Sequence, residues 1–271
     1  MKPALNKDTR LCISLAARPS NFGTRFHNYL YAELGLDFIY KAFTTTDIAA
    51  AIGGVRALGI RGCSVSMPFK EDVIALVDEM DESATAIQSV NTIVNDDGYL
   101  RAANTDYIAV AQLIQSHGLD PATPLLLRGS GGMAKAVAAA FRDAGFGNGT
   151  IIARNEDKGR ALAAEVGFAW AAELGGRRAP LLVNVTPIGM TGDNADELSF
   201  DLDAVREAET VFDVVALPER TPLITAASDA GVDVITGAEV IALQAAEQFA
   251  LYTGVRPTPE QVHAASAAAR Q

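Results

Sequence analysis

The sequence predicts an α/β protein of two domains, and three observations predict it. Strand-like and helix-like runs alternate through the first hundred residues. The alternation breaks at a Pro-punctuated stretch, LDPATP (119–124), and then restarts. A glycine-rich turn joins the restarted strand PLLL to an alanine-rich helix. At 271 residues with 49% hydrophobic content, the chain is long enough to bury two cores.

In order, LCISLA reads as a strand, and FGTRFHNYLYAEL follows with Phe22, Phe26, Tyr29, Leu30 and Leu34 on one helical stripe. FIYKAF is a second strand; DIAAAIGGVRALG is a helix capped by Thr46 or Asp47. GCSVSM is a strand, and PFKEDVIALVDEM reads as a helix with Pro68 at its first position and Lys70 in its first turn. Asp97-Gly98, between two apolar-alternating runs, predicts a β-hairpin. DYIAVAQLIQSHG is a helix leading to the break. Beyond it come helix MAKAVAAAFRDAG, strand TIIAR, helix DKGRALAAEVG, strands LLVNVT and VFDVVA, and a long last helix, GAEVIALQAAEQFALYTG.

Composition excludes several classes. A formal net charge of −11 argues against nucleic acid and anionic membrane surfaces as partners. No apolar run reaches spanning length, and the polar start MKPALNKDTR carries no signal-peptide pattern, so a soluble, cytoplasmic protein is expected. Two cysteines, Cys12 and Cys63, both in strand-like runs, read as small buried hydrophobes; with three histidines in the chain, no metal site is expected.

Gly129, Gly131 and Ala134 stand in a G-x-G-x-x-A frame between a strand and a helix. Gly129 permits the tight turn, Gly131 lets backbone N–H groups approach a pyrophosphate, and Ala134 lets helix and strand pack closely. The frame predicts a dinucleotide site. At the end of the next strand an acid would hold the ribose 2′-hydroxyl of NAD, and a base the 2′-phosphate of NADP. The sequence has Arg154 there and Lys158 four residues on, which favours NADP over NAD.

With SMPFKE, SVNT, NTD, GSGGMAKAV, NVTPIGM and GAEVIALQAAEQF in this order, the chain resembles the shikimate/quinate dehydrogenase family over nearly its whole length. The resemblance implies a substrate domain (residues 1–105), a Rossmann NADP domain (106–236) and a C-terminal helical segment (237–271) returning to the first. It implies an active site in the cleft between them, and a monomer or homodimer. Lys70 matches the family's catalytic lysine and Asp106 its paired aspartate. Asn91, Ser66 and Gln244 match substrate-binding positions. Gly129, Ser130, Gly131, Gly132, Met133 and Ala134 match the phosphate loop, Arg154 the adenosine-phosphate arginine, and Thr186 and Met190, within NVTPIGM, the loop lining the cofactor. Gly237 opens the matched glycine segment of the last helix.

The departures bear on substrate. The family's S-x-S-P segment, which holds the substrate carboxylate, is RPSNFGT here, with Asn21, Gly23 and Thr24 replacing its two serines and proline. Ser20, Asn21 and Thr24 are the expected carboxylate contacts, with Arg18 a further candidate. Ala216 replaces a tyrosine, and Glu239 and Val240 replace a glycine and a methionine, so that an acid stands near the expected nicotinamide end. These changes resemble a divergent, shikimate dehydrogenase-like branch. His27, in the family's H-N pair, is expected to be packed and hydrogen-bonded within the substrate domain.

The expected chemistry is hydride transfer between NADP and a cyclic hydroxy-carboxylate such as shikimate or quinate. Lys70 takes the hydroxyl proton in the field of a helix starting at Pro68, and Asp106 orients. The alternatives are a dehydrogenase of a different hydroxy-acid and an NADP-binding regulatory protein with little turnover.

Overall fold

The computed structural model describes residues 3–271, and its chain divides into two compact α/β units. One comprises residues up to Thr105 together with Ala242–Gln271; the other is Asp106–Ile241.

In the first unit β1 (Arg10–Ala16), α1 (Phe22–Glu33), β2 (Phe38–Thr44), α2 (Ile48–Ala57) and β3 (Gly62–Val65) follow the expected alternation. The cap of α2 is Asp47, whose carboxylate accepts from the Ala50 N–H at 2.9 Å. β4 (Glu79–Met80) and the single-turn α3 (Glu82–Thr85) come next, then β5 (Thr92–Asp96) and β6 (Tyr99–Ala103). The sheet runs β2-β1-β3-β5-β6-β4. β1 is parallel to β2 and β3, but β5 is antiparallel to both β3 and β6, so this sheet is mixed. The β5–β6 hairpin turns on Asp97 and Gly98, both with positive φ (53° and 94°), the two-residue geometry the Asp-Gly pair predicts.

The helix expected from Pro68 is absent. Residues 68–71 form turns after a cis Met67–Pro68 peptide, and only Asp72–Leu76 is helical, as a 3₁₀ turn. Tertiary pairing overrides the helical periodicity here. The Asp78 and Asp81 N–H groups donate to Leu100 and Ala102 of β6 (both 2.9 Å), which pulls the chain into β4, while Phe69 and Val73 are buried in the core beneath.

The other face of this sheet carries α1, most of α9 (Gly237–Thr253) and α10 (Pro259–Ala269). Phe26, His27, Leu30 and Tyr31 make the buried stripe of α1. α10 begins with a capping box, Thr258 and Gln261, and has Pro259 in its first turn. Cys12 and Cys63 are buried in separate cores; burial pushes the Cys12 thiol up to about 12 and raises that of Cys63 as well.

In the second unit, α4 (Thr105–Ser116) leads to β7 (Leu125–Arg128), α5 (Gly132–Asp143), β8 (Gly149–Ile152), α6 (Glu156–Val166), β9 (Ala169–Ala171) and β10 (Leu181–Asn184). Then come α7 (Leu202–Glu207), β11 (Thr210–Asp213), α8 (Pro222–Asp229) and β12 (Asp233–Ile235). Every pairing is parallel, in the order β12-β11-β10-β7-β8-β9. That is the doubly wound dinucleotide-binding order, with its switch point between β7 and β10. The start of α9 groups with this unit, so the segment expected to return from residue 237 does so from Ala242. No helix among the described residues is long and apolar enough to cross a membrane.

Candidate active site

In the first unit the predicted substrate residues Ser20, Asn21 and Thr24 follow β1, Ser66 follows β3, Asn91 precedes β5 and Gln244 lies on α9. The chain leaving β3 is tied to β1 through Ser66 N–H to Leu15 C=O (2.9 Å) and Ala17 N–H to Met67 C=O (3.2 Å). A turn follows, closed by Phe69 N–H to Ser66 C=O, and it delivers Lys70 half-buried. The Lys70 carbonyl accepts from the Val90 N–H at 2.8 Å, so the lysine sits on a braced turn. The helix beyond it is a 3₁₀ turn that starts at Asp72, not an α-helix that starts at Pro68, which corrects the expected source of its positive field.

Asn91, 3% exposed, is held by its amide oxygen, which accepts from the Thr92 hydroxyl (2.8 Å), the Thr105 N–H (2.8 Å) and the Thr105 hydroxyl (3.1 Å). Three donors on one oxygen fix the side-chain flip and leave its NH₂ group as the donor. Thr105 reaches Gln244 of α9 at 3.5 Å, and Gln248, one turn further on, donates to Thr92 (3.1 Å) and Ser64 (3.3 Å). Gln248 and Thr105 therefore belong to the same polar web as Asn91 and Gln244, and sequence reading missed both. Gln248 lies one helical turn from Gln244, a spacing that could have found it.

The loop between β1 and α1 leaves Ser20 and Asn21 exposed, and Arg18 too. The Thr24 hydroxyl is instead buried without a hydrogen-bond partner. His27 is packed as expected, stacked on Tyr40 at 4.4 Å, but neither ring nitrogen has a hydrogen-bond partner. Burial pushes its pKa down to about 3, outweighing the opposing influence of the Gln248 side chain, so the imidazole is neutral. Aromatic rings fill the space expected to hold a hydrogen-bonding partner: Phe26 edge-on, Phe249 stacked, and Tyr31 and Tyr252 tilted also surround it.

In the second unit the glycine loop has the form a pyrophosphate requires. Gly129 has φ +132°, and a Cβ there would stand 2.8 Å from Val185 Cγ2 and 2.9 Å from its carbonyl oxygen, so only glycine fits. Above Gly131 and Gly132 there is open space. Gly131 is the N-cap of α5 and gives no side-chain cap, and no acid lies in the first turn, so the N–H groups there are left for an anion. Ser130 and Met133 lie half-buried in the same loop, and Ala134 is fully buried beneath it. These residues fit a dinucleotide phosphate.

Arg154 and Lys158 are both exposed, at and just beyond the end of β8. Asn155 between them caps α6 through the Lys158 N–H (2.9 Å). On the other side of β7, the Thr186 N–H and hydroxyl both donate to Asn184 Oδ1 (3.1 and 2.7 Å). Asn184 in turn donates to Asp213 at 2.9 Å. Asp213 is fully buried and also accepts from the Thr221 hydroxyl (2.6 Å) and the Val215 N–H (3.1 Å); burial raises its pKa against those three bonds. The loop bearing Thr186 and the half-exposed Met190 thus rests on a buried carboxylate that sequence reading did not single out.

Gly237 lies where a Cβ would meet the Val215 backbone at 2.3 Å, so α9 starts hard against the end of β11. Glu239 serves the fold. Its carboxylate accepts from the Thr236 N–H (2.7 Å) and hydroxyl (2.8 Å), and Thr236 accepts from the Glu239 N–H (3.3 Å). T-G-A-E is a capping box, with His117 3.4 Å from the free oxygen. Asp106 is half-buried in the first turn of α4.

A family model, the shikimate dehydrogenase substrate binding domain, matches residues 22–93. The chain is 56% identical, over 98% of each chain, to a shikimate dehydrogenase-like protein of Haemophilus influenzae. It is 37% identical to a shikimate dehydrogenase (NADP(+)) of Prosthecochloris aestuarii, covering 84% of this chain and 85% of the relative. A shikimate 5-dehydrogenase of Thermus thermophilus, solved in complex with NADP(H) and shikimate, superposes with a TM-score of 0.86 at 28% identity, over 96% of this chain and 99% of that one. Two α/β units, the glycine loop at the switch point and these relatives agree: the chain belongs to the shikimate dehydrogenase family, on its shikimate dehydrogenase-like branch.

Proposed function

We propose that the protein is an NADP-dependent oxidoreductase that interconverts shikimate, or a closely related cyclic hydroxy-acid, with its 3-keto form. The observation that carries this reading is that one chain holds both a glycine loop with an uncapped helix start and, in its other unit, Lys70 on a turn bonded to Val90, which precedes Asn91 of the Asn91–Thr105–Gln244 web. The named activity of the relatives supports it.

When bound, NADP supplies the hydride acceptor or donor. The second unit holds its pyrophosphate at Gly129–Gly132, with Arg154 and Lys158 toward the adenosine phosphate and the Thr186–Met190 loop along its length. Lys70 takes the substrate hydroxyl proton as the carbonyl forms and returns it in the reverse direction; Asp106 orients the same hydroxyl. The NH₂ of Asn91 donates to a substrate hydroxyl, its oxygen being committed to Thr105 and Thr92. Ser20 and Asn21, with Arg18, meet the carboxylate.

The test is absorbance at the reduced-nicotinamide band with shikimate and with quinate, each with NADP and NAD. NADP-linked reduction that falls ~10²- to 10⁴-fold in Lys70→Ala, with NADPH affinity kept, supports the reading; undiminished turnover removes Lys70 from it. The substituted loop at Ser20–Thr24 favours one second reading, a different hydroxy-acid as substrate. Silence with both acids despite NADPH binding removes shikimate and quinate as substrates, and turnover of another hydroxy-acid then selects that reading.

A further inference from the structure

Arg128 is the last residue of β7, immediately ahead of Gly129. The three leucines before it are buried, and a fourth apolar residue would complete the strand; the chain has a half-buried guanidinium instead. Register sets Arg128 beside Ile152 of β8 and beside Asn184 of β10. It therefore stands at the switch point, between the strand end that carries Arg154 and the one that carries Thr186.

Arg154 lies two residues beyond Ile152. From strand spacing and rise, the two arginine Cα atoms are about 8 Å apart, a span that two side chains close on one anion. Nη1 of Arg128 donates to the Ser199 carbonyl, which anchors the fork and leaves its other N–H groups to give. Burial, with the charge of Arg154, pulls the pKa of Arg128 down, and among the described residues Glu197 is the carboxylate that opposes this. Two guanidinium groups within electrostatic reach of each other, with one exposed carboxylate acting on Arg128, form a locally cationic corner, and a phosphate monoester carries close to two negative charges at neutral pH.

We propose that Arg128 is a specificity-determining residue: with Arg154 it grips the 2′-phosphate of the adenosine ribose and sets the preference for NADP over NAD. This rests on the NADP reading above. A guanidinium forked onto a phosphate gives two parallel charge-assisted bonds, which a hydroxyl in the same place does not supply.

The experiment is calorimetric titration of the full chain with 2′,5′-ADP and with 5′-AMP, which needs no turnover. In Arg128→Leu, 2′,5′-ADP binding is expected to weaken ~10- to 100-fold while 5′-AMP binding stays within about twofold, in line with loss of hydrogen bonds to a charged group. Arg128→Lys, which keeps the charge without the fork, is expected to fall between, and it carries the comparison if the leucine variant fails to fold. Equal loss of both nucleotides, or no loss, overturns the proposal and leaves Arg128 as an anchor for the Ser199 segment. Failure of the wild-type chain to distinguish 2′,5′-ADP from 5′-AMP overturns the cofactor reading itself, and the proposal with it.

Discussion

The ligand sites proposed for the two units are built from different materials. In the second, all-parallel unit the surface proposed for the pyrophosphate is backbone: the N–H groups around Gly131, a glycine at φ +132°, and a loop tied down by Asn184 and Asp213. In the first, mixed-sheet unit the surface proposed for the substrate is side chains: Lys70 on a turn, and a chain of amide and hydroxyl groups from Gln248 through Thr92, Asn91 and Thr105 to Gln244. Backbone recognition suits a ligand part that every dinucleotide shares. Side-chain recognition suits a substrate that a lineage can exchange, and the departures from the family pattern at Asn21, Gly23 and Thr24 fall on that side.

The sharpest way to break this contrast is Gly129→Ala. The added Cβ meets Val185 within 3 Å at a φ that L-residues avoid. The expected cost is about 3 kcal/mol, shared between cofactor affinity and stability. NADPH titration and thermal unfolding should both register it, while binding of shikimate alone stays intact. Tight NADPH binding in the folded variant would show that backbone shape does not govern this unit.

Next in size is an acid response that belongs to the first unit. His27 is neutral when folded, with a pKa near 3, and ordinary, near 6.5, when unfolded. The unfolded chain therefore binds the extra proton below pH 6.5. Stability is full above that pH and falls as pH drops toward 3, by up to about 1.4 kcal/mol per unit. The groups facing the ring, Tyr31, Tyr40 and Tyr252, have pKa values raised by burial and stay neutral throughout this window. Chemical denaturation at pH 7 and pH 5 should differ by about 2 kcal/mol more in wild type than in His27→Phe. An equal difference in both proteins would mean that His27 is not the group titrating.

Legibility from sequence follows the same division. The glycine loop and the Asp97-Gly98 turn were readable because each is a local backbone requirement that a few adjacent residues announce. The segment after β3 was misread because Phe69, Val73 and Ile74 repeat at helical spacing, while the hydrogen bonds that decide its course come from β6, two dozen residues later. Asp213 and Gln248 were missed for a related reason: their partners, Asn184 and Thr221 for the one, Ser64 and Thr92 for the other, are assembled by the fold.

Within the web, Asn91→Ala leaves the buried Thr105 N–H without its acceptor and removes the proposed substrate donor. A cost of about 1–3 kcal/mol to stability is expected, together with a raised KM for the acid and an unchanged KM for NADP. Parallel changes in both KM values would contradict the assignment of Asn91 to the substrate alone.

The smallest effect separates a departure that concerns substrate from one that concerns folding. Glu239 replaces a family glycine, and as an acid near the start of α9 it reads from sequence as a change to the site. Its carboxylate is committed to the Thr236 N–H and hydroxyl, so Glu239→Ala should cost what a helix cap costs, about 0.5–2 kcal/mol, read as a lowered denaturation midpoint. Turnover and both KM values should stay near wild type, and Glu239→Gln, which retains a capping-box acceptor, should recover most of the stability. A variant of wild-type stability with altered KM for the acid would move Glu239 from the fold to the substrate, and the divergence of this branch would then extend from the β1–α1 loop into the second unit.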